Sequence, residues 1–257
     1  MKYNIDSQNI LILGGTNGVG LELAKYSLNS NYKLIIVCKS RKHVNSAKKY
    51  LGKSKNYKIL VNDCYQGNFK KIHKYCKLFF KGKIDFLVSF LGTGKVEFGL
   101  TKDIKKWKSV FDKNFFINVK LVLEFLIYFR KKDFSSCIIF TAAIAGVERL
   151  NAPMTYSVAK TALISFVNHL ANELLTNKIR VISISPGNIY FKNGRWEQII
   201  KKNRSIIKKY IKKDVGMKRL GTAKELAYLY FALMSKDNSF MSGTNIVADG
   251  LQLKKIL

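Results

Sequence analysis

Acidic residues are scarce in this chain: 16 Asp and Glu stand against 46 Lys and Arg, a formal net charge of +30 over 257 residues. Proline is scarcer, with only two, and 47% of the residues are hydrophobic, which excludes a disordered or proline-rich linker and leaves a folded globular chain. The cysteines Cys38, Cys64, Cys76 and Cys137 contain no Cys-x-x-Cys pair, and His43, His73 and His169 have no partner at ligand spacing, so no metal site is expected. Those thiols fall mostly in or beside apolar runs, where they are expected to be buried, reduced and inert. Long hydrophobic runs are missing too. The longest, Phe115 to Phe129, is interrupted by Asn118, Lys120 and Glu124 and is too short to span a bilayer. Met1 to Asn9 lacks the charged-apolar-small order of a signal peptide, so the expectation is a cytoplasmic protein without a membrane span.

So large a positive charge attracts any polyanion non-specifically. The lysines, however, are spread along most of the chain among Asn and Ile, and no recognition motif accompanies them, so no specific nucleic acid is expected. They read either as solvated faces or as a surface for an anionic partner, such as a phosphorylated substrate or an acidic carrier protein.

What is present is an alternation. Short runs rich in Ile, Val, Leu and Phe (Asn9 to Leu13, Lys33 to Cys38, Tyr57 to Val61, Ile84 to Phe90, Ser135 to Phe140, Ile179 to Ile184, Asn245 to Val247) read as strands. Between them Gly18 to Asn29, His43 to Leu51, Gly67 to Lys81, Trp107 to Arg130, Thr155 to Leu175 and Ala223 to Met234 read as helices. Repeated βαβ units predict an α/β fold, a doubly wound Rossmann-type parallel sheet of about seven strands with helices on both faces, in one domain over 1–257. Thr222 and Glu225 have the spacing of a capping box.

The first strand runs into Gly14-Gly15-Thr16-Asn17-Gly18-Val19-Gly20 and then a helix, the order that dinucleotide binding requires. Glycines let the backbone turn tightly and approach the pyrophosphate, while the helix N-terminus offers unpaired N–H groups and a positive dipole end. Gly14, Thr16, Asn17, Gly18, Val19 and Gly20 are therefore candidate cofactor contacts. The second strand ends Cys38-Lys39-Ser40-Arg41, without the carboxylate that would bind the adenosine ribose of NAD. Lys39, Ser40 and Arg41 instead suit the 2′-phosphate of NADP(H), the preferred cofactor, with NAD(H) as the alternative. Asp63, closing the third strand, is placed to accept from the adenine amino group or simply to start a turn.

Tyr156 and Lys160 lie four residues apart on a predicted helix and project from one face. An ammonium beside a phenol lowers the tyrosine pKa from about 10 towards neutrality, making it a usable proton donor or acceptor.

With these motifs in order, the sequence resembles the short-chain dehydrogenase/reductase (SDR) family over nearly its whole length. The glycine loop is similar to that family's Thr-Gly-x-x-x-Gly-x-Gly, and Tyr156-Ser157-Val158-Ala159-Lys160 to its Tyr-x-x-x-Lys. Trp107 to Asn118 resembles the segment supplying a catalytic asparagine, which lands on Asn114. Arg180 to Gly187 resembles the sixth strand and Pro-Gly turn beside the nicotinamide, and Arg219 to Thr222 with Ser242 to Gly250 the C-terminal pattern. The resemblance implies that Tyr156 protonates a carbonyl oxygen as NADPH delivers hydride, that Lys160 holds the nicotinamide ribose and tunes Tyr156, and that Asn114 supports a proton-relay water. It also implies cofactor contacts at Gly92, Pro186, Gly187 and Ile189, and a homodimer or homotetramer paired through the helices of Trp107 to Arg130 and Thr155 to Leu175.

The chain departs from that pattern where the family's catalytic serine, thirteen residues before the tyrosine, is Ala143. Thr141 lies about 6 to 7 Å back along the strand, and Thr155 adjoins Tyr156 but on a helix; neither is an obvious substitute. Loss of such a donor costs on the order of a hundredfold or more in rate. The family's Asn-Asn-Ala-Gly reads Ser89-Phe90-Leu91-Gly92, its leading threonine is Leu13, and Phe191 replaces a cofactor-contacting threonine.

Asn188 to Val215, the expected substrate-loop insertion, is the most basic part of the chain. Trp196, Ile199, Ile200, Ile206, Ile207, Tyr210 and Ile211 recur near helical spacing, with Lys201, Lys202, Arg204, Lys208, Lys209, Lys212 and Lys213 on the other face. Such a basic amphipathic helix clamps an anionic substrate, lies on an acidic membrane surface, or is merely solvated. The expected function is an NADPH-dependent oxidoreductase acting on a small-molecule substrate, anionic like a nucleotide sugar, preferred because Asn188 to Trp196 is a polar, glycine-containing loop, or an acyl thioester. The alternative is a catalytically impaired dinucleotide-binding sensor or assembly protein.

Overall fold

Strands covered on both faces by helices need apolar residues on both, and the runs read from the sequence meet that demand. The computed structural model describes residues 8–131 and 133–254, so most of the Met1 to Asn9 reading lies outside the described residues. The strands are β1 (Asn9–Leu13), β2 (Lys33–Cys38), β3 (Tyr57–Val61), β4 (Phe86–Ser89), β5 (Ser136–Thr141), β6 (Ile179–Pro186), β7 (Ile189–Tyr190), β8 (Gly221–Thr222) and β9 (Asn245–Ala248). Seven of them form one parallel sheet in the order β3-β2-β1-β4-β5-β6-β9. The order reverses between β1 and β4, and ligands of such sheets bind at the carboxyl edge of that switch point.

The helices are α1 (Gly18–Asn29), α2 (Val44–Leu51), α3 (Lys70–Leu78), α4 (Ile104–Phe111), α5 (Ile117–Phe125), α6 (Met154–Glu173), α7 (Arg195–Lys202), α8 (Arg204–Asp214) and α9 (Ala223–Met234). Alternate residues of β1 feed two cores. Ile10 and Ile12 pack with Leu23 of α1 and Tyr230 of α9, while Leu11 and Leu13 pack in the layer of Ile72, Phe125 and Val167 from α3, α5 and α6. Helices therefore cover both faces, as expected. The capping box forms at Thr222 and Glu225, and the Arg219 guanidinium, with the Thr222 donors, pulls the Glu225 carboxyl down to about 2.

The sequence reading is corrected in three places. The single helix expected over Trp107 to Arg130 is broken by a π turn, Asp112–Phe116, between α4 and α5. The side-chain amide of Asn114 donates to Val110 O at 3.0 Å and that of Asn118 to Asn114 O at 3.1 Å, so each takes the carbonyl four residues back and competes with the α-helical N–H. The helix also stops early, because Phe129 and Arg130 are extended against Ile84. The basic segment forms two helices rather than one, divided at Asn203, whose φ of −141° and ψ of 53° leave the helical region. Finally, the β7–β8 pair was not foreseen; two residues carry no periodicity to read.

Candidate active site

The carboxyl ends of β1 to β6 gather the sequence-predicted residues along one edge. At the β1–α1 turn Gly20 meets Gly14 so closely that a Cβ on it would lie 2.6 Å from Gly14 O. Thr16 is buried, and Val19 packs onto the core beneath α1. The N-cap residue Asn17 gives no side-chain bond to the helix, its amide reaching Lys192 O at 3.5 Å instead. The first N–H groups of α1 thus have no side-chain cap, and this tight, uncapped turn fits a dinucleotide pyrophosphate. Two aromatic departures close around it: Phe90 packs 4.8 Å from the Tyr230 ring centroid, and the Phe191 ring lies over Gly18, 2.7 Å from where a Cβ would stand.

Beyond β2, Lys39, Ser40 and Arg41 are all exposed. Lys39 Nζ pairs with Asp63 at 3.2 Å, and the other Asp63 oxygen accepts from Tyr65 N–H at 3.1 Å, so Asp63 both starts a turn and holds Lys39. Tyr65 OH in turn accepts from Gly92 N–H at 3.0 Å. Sequence reasoning missed Tyr65; nothing in its spacing marks a residue that ties the third strand's exit to the fourth's. Pro186 and Gly187 line the same cleft as the catalytic candidates, whereas the Ile189 side chain turns away to pack against Gly221 and the core.

Lys160 and Asn114 converge on the loop after β4, and Tyr156 lines the same cleft beside Lys160. A Cβ on Gly92 would stand 2.9 Å from Asn114 Oδ1 and 3.1 Å from Lys160 Nζ, and Thr93 N–H donates to Asn114 Oδ1 at 2.9 Å. Lys160 Nζ lies 5.8 Å from the Tyr156 ring centroid and donates to Thr141 O at 2.7 Å. Gly146 permits this placement: a Cβ there would lie 2.7 Å from the Lys160 main-chain carbon, an atom that cannot swing aside. Gly146→Ala is accordingly expected to push α6 off β5, costing about 1 to 3 kcal/mol and lowering kcat more than NADPH affinity; urea denaturation and steady-state kinetics check both.

The electrostatics differ from the sequence expectation. Burial pushes the Tyr156 phenol up to about 12, with the Arg195 guanidinium pulling the other way, and the same burial brings Lys160 down to about 7. Lys160 does not draw the phenol towards neutrality here, because desolvation suppresses its own charge first. Ala143 is buried and contributes only a methyl group to the cleft. Thr141 cannot stand in for the serine, since its hydroxyl donates to Ser89 O and meets Tyr230 OH, both at 2.7 Å. The Thr155 hydroxyl is buried without a partner but is not part of the cleft wall.

The cleft has a volume of about 780 Å³. Its outer wall comes from α7 and α8: Trp196 stacks on Tyr210 with ring centroids 5.9 Å apart, Ile206 and Ile207 lie beside them, and Asn188 Nδ2 donates to Tyr210 OH at 2.6 Å. Lys201, Lys202, Arg204, Lys208, Lys209, Lys212 and Lys213 are exposed and absent from the wall. The lysine face is therefore turned to solvent and not into the cleft, where a clamp would need it, because the apolar face of the same helices covers the cleft. Among the described residues no three His, Cys, Asp or Glu side chains could hold a metal, the four cysteines are buried and free, and no helix is long and apolar enough to cross a membrane.

The family described as Enoyl-(Acyl carrier protein) reductase matches residues 14–250. Dehydrogenase/reductase SDR family member 4 of Oryctolagus cuniculus is 27% identical over 247 residues, 93% of this chain and 91% of that protein. A benzil reductase ((S)-benzoin forming) of Saccharomyces cerevisiae is 27% identical over 69% of this chain and 70% of its own. Among solved structures, L-sorbose reductase from Gluconobacter frateurii complexed with NADPH and L-sorbose superposes with a TM-score of 0.86 at 24% identity, covering 100% of both chains. A short chain oxidoreductase from Pseudomonas aeruginosa PAO1, described as containing an atypical catalytic center, superposes at 0.88 with 18% identity, covering 99% of this chain and 100% of that one. The structural likenesses establish the fold.

Proposed function

Since the chain belongs to the short-chain dehydrogenase/reductase family, we propose that it is an NADPH-dependent oxidoreductase that reduces a carbonyl, or oxidises the corresponding alcohol, in the cleft beside Tyr156. The observation that carries this reading is the meeting of Lys160 and Asn114 at Gly92, with Tyr156 beside Lys160 in the same cleft wall. NADPH supplies the hydride when bound. Tyr156 then gives its phenolic proton to the carbonyl oxygen; a phenol held near 12 is protonated and ready throughout the neutral range. Lys160 leaves Thr141 O to hold the nicotinamide ribose, Asn114 supports the loop that orders a relay water, and Gly14 to Gly20, Pro186 and Gly187 hold the rest of the dinucleotide.

Lys39, Ser40 and Arg41 support NADP(H) over NAD(H), with Lys39 leaving Asp63 for the 2′-phosphate. The double variant Lys39→Ala/Arg41→Ala is expected to weaken NADPH binding by about 10- to 100-fold, the worth of one or two charge-assisted bonds, and to leave NADH nearly unchanged. Fluorescence titration with both nucleotides reads this directly.

The apolar wall of Trp196, Ile206 and Ile207 favours an acyl thioester over a nucleotide sugar, whose hydroxyls would need partners there. Leu123 and Ile127, 72% and 75% exposed, leave an apolar face along α5 and the turn after it that supports pairing into a homodimer or homotetramer. One NAD(P)-binding domain in the cytoplasm completes the reading. A second reading, a dinucleotide-binding sensor without turnover, draws on Ala143, Phe90 and Phe191; it requires cofactor binding with no turnover, unrestored by Ala143→Ser.

A further inference from the structure

The methyl group of Ala143 leaves the substrate carbonyl short of one donor, and neither Thr141 nor Thr155 offers a hydroxyl to the cleft. On the other wall stands a group with donors to spare. Arg195 opens α7 and lines the cleft together with Tyr156 and Lys160. Its guanidinium has no ion-pair or hydrogen-bond partner among the described residues: the acid of the same helical turn, Glu197, accepts from Asn193 N–H at 2.8 Å and pairs with Lys201 at 3.5 Å. A cation in the first turn of a helix also faces the positive dipole end, so nothing local stabilises its position. It reaches across the cleft to Gly94, where a Cβ would lie 2.8 Å from Arg195 Nη1, and Gly94 is on the same short loop as the Gly92 that flanks Lys160 and Asn114.

Resting on the oxidoreductase reading above, we propose that Arg195 takes the place of the missing serine, its guanidinium donating to the substrate carbonyl oxygen opposite Tyr156. As hydride adds to the carbonyl carbon, the C=O π electrons move onto oxygen, which takes the Tyr156 proton while NADPH becomes NADP⁺. Arg195 breaks no bond; it stabilises the charge that grows on oxygen during the transfer, an interaction stronger in the transition state than in the ground state. Of the cationic side chains at the cleft, Arg195 is the one whose field is felt at the Tyr156 phenol, lowering its pKa against the effect of burial. The exposed lysines of α7 and α8 take no part.

Steady-state kinetics of Arg195→Met, Arg195→Lys and Arg195→Met/Ala143→Ser, with NADPH titration of each, test this. Arg195→Met is expected to lower kcat and kcat/KM together by about a hundredfold with NADPH affinity unchanged, and to move the alkaline limb of the pH–rate profile for reduction upward. Arg195→Lys keeps the charge without the fork and falls between. Adding Ala143→Ser to Arg195→Met is expected to recover at least about tenfold, more than it adds to the parent, because one oxygen needs one such donor. A kcat left intact in Arg195→Met, with or without a higher KM, overturns the proposal and makes the guanidinium a ground-state anchor at most. A wild type that binds no NADPH overturns the oxidoreductase reading itself.

Discussion

Tyr156→Phe is expected to bind NADPH as the wild type does and to lose turnover by about 10²- to 10⁴-fold, the range for removing a positioned general acid. The substitution keeps the ring that packs at the start of α6 and deletes only the oxygen. Loss in kcat without loss of cofactor affinity therefore isolates the proton step from folding and binding. The pH dependence has a sign. A general acid works while protonated, so with the phenol raised to about 12 the wild-type reduction rate has no tyrosine limb near neutrality and falls only in strong alkali. Alcohol oxidation needs the phenolate and rises over that same interval. Lys160, brought to about 7 by burial, becomes charged as pH falls below that value. It is therefore neutral at the alkaline pH where the phenol ionises, and it leaves the position of the tyrosine limb unaltered. Full turnover by Tyr156→Phe would count against the assignment.

The second large effect is on stability and lies far from the cleft. Arg180, at the start of β6, is fully buried and makes no bond to a carboxylate among the described residues. Its Nε donates to Phe134 O at 2.9 Å, Nη1 to Leu233 O at 3.1 Å and Asn238 O at 3.2 Å, and Nη2 to Ser235 O at 3.2 Å. Leu233 and Ser235 sit at the end of α9, where carbonyls lack intrahelical partners and the helix dipole is negative. One guanidinium thus satisfies four carbonyls, that of Leu233 fully buried and the other three partly so, and ties the β5 approach, β6 and the α9 terminus together. Arg180→Leu fills similar space but strips all four acceptors, so a loss of about 3 to 5 kcal/mol is expected, read as a lower urea midpoint. Activity per folded molecule is retained, because the cleft lies at the other end of β6, about 20 Å along the strand. A loss below about 1 kcal/mol would mean that water replaces the guanidinium at those carbonyls.

Much of this was legible in the chain because the signals were local. The burial of β1 and the start of α1 follow from an unbroken apolar run meeting a glycine turn, and their bounds read from the sequence match the structure. Tyr156 and Lys160 were found by helical spacing, Asn114 and Gly92 only by resemblance. What escaped was non-local or competitive. The π turn depends on two asparagine side chains outbidding main-chain donors, and composition shows no such contest. Tyr65 acts by reaching another strand's exit. The lysine stripe of α7 and α8 was visible, but which face meets the cleft is decided by Trp196 and Tyr210 packing over it, and among the described residues that left Arg195 as the one cation of these two helices lining it. The charge state of Lys160 likewise follows from burial, a property of the folded site rather than of its spacing from Tyr156.

The central claim, a nicotinamide-dependent carbonyl chemistry at this cleft, is tested most directly by titrating the wild-type protein with NADPH and NADH while following NADPH consumption on a panel of activated ketones and acyl thioesters. The account predicts tighter binding of NADPH and consumption that depends on the carbonyl compound. Binding of neither nucleotide would contradict it.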